Sequence, residues 1–355
     1  MLFTAWARLS YFLTDFAFYL LLIILSLIVL PFSSYKIYKS GLSQNRKKLL
    51  ISLLFTVFSL ILALCAFEAY FRYQYDESDG LGFLKVNQRW HARHVVFNSD
   101  FMRDRNFENK KDGTARICAL GDSITFGGGI KRVEDRFSNL LQKKLRDSGR
   151  SVEVYNLGRS GYDTEAEIRV YKETEFLKCD IIVWEYFLND IQPEDTTTGA
   201  PIIARASQTA KVISFFSNYS YFFDYLYWKL SARYEKTFQQ LGTADLDRYQ
   251  EEQTLQRHEK IITAFLNDLK SDREKVVVII FPFVNLLPDY PAAGAHQLMA
   301  EVFKSGGAEV IDLLDDLKNQ KSRDLIASKF DFHPNEYVHQ LAAEKLFEKV
   351  APLIK

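Results

Sequence analysis

Two long apolar stretches near the start restrict this chain more than anything that follows. The first runs from Phe12 to Phe32, interrupted by Thr14 and Asp15 near its beginning, and the second from Leu49 to about Phe67. Each approaches the roughly 20 residues that cross a hydrocarbon core ~30 Å thick. Neither carries a polar face through its centre, as a surface helix of a globular domain would. A cleavable leader fits less well, because no basic cluster precedes the first stretch and a second stretch follows. Residues 1–72 are therefore expected to form a two-helix transmembrane anchor in the bilayer.

Charge sets the expected orientation. The loop between the stretches holds Lys36, Lys39, Arg46, Lys47 and Lys48 and no acidic residue. Arg8 alone precedes the first stretch, and Glu68, Asp76, Glu77 and Asp79 outnumber Arg72 after the second. The excess of basic residues predicts a cytoplasmic loop, with both termini and everything after the anchor outside: periplasmic, extracellular or luminal. Over the whole chain Lys+Arg and Asp+Glu are equal at 45 each, so no global field invites nucleic acid. The three cysteines, Cys65, Cys118 and Cys179, show neither disulfide-framework nor zinc spacing and read as small buried hydrophobes.

Beyond a connecting arm, residues 73–114, the pattern becomes that of an α/β domain, residues 115–355. Apolar runs at Ala115–Leu120, Val152–Leu157, Asp180–Phe187, Lys275–Phe283 and Glu309–Leu313 read as buried strands. Helical spacing is predicted over Glu134–Arg150, Thr164–Lys178 and Asn335–Val350, with Gly149 a stop and Thr164 an N-cap. Alternating strands and helices predict a parallel sheet covered on both faces. An insertion of about residues 192–272 separates the third and fourth strands and contains the aromatic run FFSNYSYFFDYLYWKL, residues 215–230. As a helix, this run would cap the site, lie on the membrane surface or pack into the core.

Open parallel sheets bind ligands beyond the carboxyl ends of their strands. The first strand is followed by Gly121-Asp122-Ser123, the second by a loop carrying Gly158, Ser160 and Gly161, and the third by Asn189-Asp190. Asp331-Phe332-His333 precedes the last helix. A serine at a strand–helix turn projects its hydroxyl into the crevice. Glycine lets backbone N–H groups approach a ligand, and Asn189 offers an amide donor. Nucleophile, base and oxyanion donors on one sheet edge are the inventory for acyl transfer.

These blocks resemble those of the SGNH hydrolase superfamily, the GDSL esterases and lipases, over about residues 115–355. GDSITFG resembles the nucleophile block, with Ser123 as nucleophile; SGYDT the second, with Gly161 as backbone donor; FLND the third, with Asn189 as side-chain donor; and DFHPN the last, with His333 as base. The arm FNSDFMRDRNF, residues 97–107, is also similar to a segment in membrane-attached members. The resemblance implies a three-layer, flavodoxin-like sheet. It also implies an oxyanion hole of the Ser123 and Gly161 N–H groups with Asn189, and no cofactor or metal. Two positions depart from the pattern. Phe187 stands where glycine is usual, and Phe330 where an acid is usual, so the implied orienting acid is Asp331, with a Ser–His dyad as the alternative.

The implied activity is that of a membrane-anchored serine esterase or deacylase, or an O-acyltransferase, acting on an ester of a lipid, glycan or small molecule. In the transfer reading a membrane partner protein supplies the acyl donor. A catalytically silent scaffold or binding module in an envelope complex is the alternative. His91 and His94 lack the neighbours of a metal site. His339 is expected to be structural, and Gly127-Gly128-Gly129 to form a turn below the serine rather than a phosphate loop.

Overall fold

The apolar stretches form helices α1 (Ala17–Lys39) and α2 (Gln44–Tyr73), both long and apolar enough to cross a membrane. The computed structural model describes residues 15–191, 211–231, 233–272 and 274–354. Arg8, the start of the first stretch and residues 192–210 of the insertion lie outside them. Lys36 and Lys39 end α1, and Arg46, Lys47 and Lys48 open α2, so the basic residues cluster at one end of the hairpin. Phe16, Tyr19 and Cys65 are buried where the helices meet, whereas Phe18, Ile24, Ile28, Leu53 and Leu60 point outward.

The chain forms two compact units, Met1–Asp76 with Ala210–Lys229, and Glu77–Thr209 with Leu230–Lys355. In the first, the aromatic run folds as α7 (Lys211–Tyr219) and α8 (Tyr221–Leu230) against the end of α2. Glu68 accepts hydrogen bonds from the Ser220 hydroxyl (2.7 Å) and from the Tyr221 and Phe222 N–H groups (3.1 Å each), capping α8. Its charge is balanced by Arg72 at 2.7 Å, which also reaches Asp15 at 2.8 Å. Phe67 stacks on Phe222, and Phe71 packs on Tyr225.

The second unit contains a five-stranded parallel sheet: β1 (Ala115–Leu120), β2 (Val152–Asn156), β3 (Ile181–Phe187), β4 (Lys275–Phe281) and β5 (Glu309–Asp312). Their order is β2-β1-β3-β4-β5. Side chains alternate between its faces, as strand geometry requires. Cys118, Trp184, Tyr186 and Val278 enter one core, with Val170, Phe265 and Phe303 from α6 (Thr164–Glu173), α10 (Glu252–Ser271) and α11 (Ala293–Ser305). Ile117, Val183 and Ile279 enter the other, with Leu141 and Leu346 from α5 (Phe137–Asp147) and α12 (Glu336–Val350). The result is the three-layer architecture, with Asp163 rather than Thr164 capping α6 through its carboxylate and the Ala166 N–H (2.8 Å).

The reading of all three cysteines as small hydrophobes is corrected for two of them. Cys118 and Cys179 form a disulfide with 5.9 Å between Cα atoms, leaving only Cys65 as a buried free thiol. Parallel pairing of β1 with β3 brings the two residues together across a sequence separation of 61. Closing a loop of that length is worth about 4 kcal/mol in the chain-entropy account.

Candidate active site

β1 pairs β2 on one side and β3 on the other, and connections from this strand diverge at its carboxyl end. There the chain turns abruptly into α4 (Ser123–Phe126), whose first residue is Ser123. The Asp122 carboxylate caps this turn by accepting the Ile124 N–H at 2.8 Å. Two wholly buried arginines hold the loop behind it. Arg103 donates to the Gly127 and Ile130 carbonyls (2.7 Å each), and Arg136 to the Arg103 carbonyl (2.6 Å). Burial lowers both guanidinium pKa values to about 10, which leaves them cationic at neutral pH.

The loop before α12 brings His333 to the serine. His333 Nε2 lies 2.9 Å from Ser123 Oγ, and its Nδ1 2.5 Å from Asp331 Oδ1. Asp331 is buried and also accepts the His333 backbone N–H at 3.1 Å. Burial alone would raise the Asp331 pKa, but His333 and a hydrogen bond from Ser78 outweigh it and hold the carboxyl below its usual range. Burial likewise pulls His333 down, but the charge and hydrogen bond of Asp331 carry it above the ordinary histidine value. Phe330, at the position where the family pattern has an acid, is sunk into the protein at 1% exposure.

Close packing around these groups explains two of the glycines. A Cβ on Gly128 would meet the His333 ring at 2.9 Å, so the glycine turn below the serine leaves room for the imidazole. A Cβ on Gly158 would lie 2.2 Å from the Phe126 backbone nitrogen, so only glycine lets the loop after β2 pass this close to α4. Ser123 and His333 open into a cavity of about 320 Å³ that Gly161, Asn189, Phe187 and Phe283 also line. Phe187, in place of the usual glycine, packs against Phe283 with ring centroids 4.3 Å apart and forms an apolar wall.

Other sequence candidates lie elsewhere. His91 and His94, on α3 (Lys85–His94), pack on the Trp90 ring. His339 is fully buried against Phe137, accepts its N–H at 3.2 Å, and has its pKa lowered to about 3 by burial and nearby cations. Beneath the strand ends lies a floor of buried carboxyls that no sequence motif announces. Glu185 Oε2 accepts from Thr125 Oγ1 (2.9 Å) and the Asp122 N–H (3.3 Å), Asp190 from the Phe187 N–H (2.7 Å), and Glu167 from Trp184 Nε1 (2.8 Å). Burial, with repulsion from one another and from Asp122, raises these three carboxyls well above the ordinary range. The available signal was a glutamate inside the apolar run IIVWEYF of β3.

A parallel α/β sheet with a Ser–His–Asp contact beyond its carboxyl edge defines a serine-type ester hydrolase or acyltransferase. A model described as the GDSL-like Lipase/Acylhydrolase family matches residues 119–341, and the chain belongs to that family. Among solved structures, it is similar to TesA at 14% identity, covering 67% of this chain and 99% of that one, with a TM-score of 0.41. It is also similar to the lipase/acylhydrolase from Enterococcus faecalis at 16% identity, covering 68% and 97%, with a TM-score of 0.42. Comparison with curated proteins found no match.

Proposed function

We propose that this protein is a membrane-anchored esterase that works outside the cytoplasm, on an ester of an envelope glycan or lipid, through an acyl-Ser123 intermediate. The continuous contact from Ser123 through His333 to Asp331 at the mouth of the cavity carries this reading. His333 Nε2 takes the hydroxyl proton as Ser123 Oγ attacks the ester carbonyl. The tetrahedral oxyanion is held by the N–H groups of Ser123 and Gly161 and the amide of Asn189. Collapse expels the alcohol, which leaves with the proton from His333. Water, or an acceptor hydroxyl in a transferase, then gives up a proton to His333, attacks the acyl group and restores Ser123. The Ser123–His333 contact also speaks against a silent scaffold.

The activity test is release of 4-nitrophenol from 4-nitrophenyl acetate by the purified full chain, followed against pH. Only neutral His333 can accept the proton, and its pKa is raised. kcat/KM should therefore climb with pH along an acid limb whose midpoint lies above the ordinary histidine value of ~6.5. A flat profile from mildly acid to mildly alkaline pH would remove His333 as the base.

Two observations support the outside location: the basic residues gathered at one end of α1 and α2, and the Cys118–Cys179 disulfide, since such bonds persist in oxidising compartments. Protease added to intact cells should digest the hydrolase unit and spare the loop around Ser40–Ser43. Protection of that unit until the membrane is opened would reverse the orientation.

A further inference from the structure

Acyl transfer leaves one side of the cavity without a task. Asp245 from α9 (Arg233–Asp247) and Asn285 from the turn after β4 line the same space as Ser123. The Asp245 side chain is 18% exposed, and its Oδ1 lies 3.0 Å from Arg248 Nη1. Arg248 is itself buried and donates to the Ile191 carbonyl at 3.0 Å. Asp245 Oδ2 and the Asn285 amide have no hydrogen-bond partner among the described residues.

A carboxylate and an amide in a cavity wall are costly if the space fills with hydrocarbon, because neither recovers the hydrogen bonds lost with water. Burial already raises the Asp245 pKa to about 7 despite Arg248. A ligand bearing hydroxyl groups restores those bonds. Arg248 balances the charge of Asp245, so the pair attracts hydroxyl donors rather than a cationic headgroup. The cavity, about 320 Å³, lies at the small end of ligand sites and suits a sugar ring against the Phe187–Phe283 wall.

We propose that Asp245 and Asn285 form a hydroxyl-binding wall that seats the alcohol part of the ester as a sugar ring, making an O-acylated glycan rather than a lipid the substrate. This rests on the acyl-transfer reading above. The test compares kcat/KM of the full-length protein in detergent for two kinds of acetate ester. One is a panel of mono-O-acetylated hexoses (glucose, mannose, galactose and N-acetylglucosamine), and the other is 4-nitrophenyl acetate. In Asp245→Ala and in Asn285→Ala, the ratio of the best sugar ester to 4-nitrophenyl acetate should fall at least tenfold. Asp245→Asn keeps one acceptor oxygen and should lose less.

An unchanged ratio in both alanine variants overturns the proposal, because a purely structural role would move both substrates together. Wild-type protein that cleaves 4-nitrophenyl acetate but no sugar ester also overturns it, while leaving the acyl-transfer chemistry standing. Failure to cleave either substrate, with no labelling by a fluorophosphonate, removes both readings.

Discussion

Ser123→Ala should abolish fluorophosphonate labelling and reduce ester turnover by about 10⁶-fold, the loss typical when a nucleophile of this kind is removed. The change deletes one buried hydroxyl and little else. The Asp122 cap of α4 uses the Ile124 N–H and survives, as do the Arg103 and Arg136 bonds to the loop behind it. Ser123 Oγ also lies 3.1 Å from Asp122 Oδ2, so its loss frees that oxygen without stranding a donor. Circular dichroism and thermal unfolding should match the wild type. Labelling that persists in the folded variant, measured by in-gel fluorescence, would mean that another residue is the nucleophile.

Asp331→Asn should lower kcat/KM by about 10⁴-fold, because the amide favours the wrong imidazole tautomer for proton acceptance at Nε2. A second readout separates this from a packing defect. The Asp331 charge and hydrogen bond are what lift His333 above its ordinary pKa against the opposing effect of burial. Without the charge, burial dominates, so any residual activity should show its acid limb at lower pH than the wild type. Asp331→Ala should behave similarly, with added loss of the Ser78 contact. Losses of tenfold or less in both variants, with an unmoved acid limb, would remove Asp331 from the proton relay and leave a dyad.

Much of this arrangement was legible because its parts advertise themselves locally. Buried parallel strands read as short apolar runs, and Ser123, Gly161, Asn189 and His333 each follow a strand or precede the last helix. What escaped depends on which strands become neighbours. Cys118 and Cys179 meet only because β1 pairs with β3, not just with the strand that follows it. Glu167, Glu185 and Asp190 belong to different segments, and their convergence under α4 is invisible until the sheet is assembled. Asp245 sits in an insertion whose sequence carries no family pattern. The arm around Arg103 stands out as a resembling segment, but its sequence says nothing of the carbonyl groups that Arg103 gathers.

The chain passes between its two units at Asp76–Glu77, again at Thr209–Ala210 and again at Lys229–Leu230. Enzymes joined to an anchor by a single linker can be shed by one proteolytic cut. Here, a cut after Asp76 leaves α7 and α8 covalently attached to the hydrolase on both sides while they still grip α2 through Glu68, Phe67 and Phe71. Truncating residues 1–76 strips the cover that Phe67 and Phe71 give Phe222 and Tyr225 and leaves those rings uncovered. Separating the two units cleanly therefore means removing an internal segment together with the N-terminal one, because the path of the chain ties them together more than once.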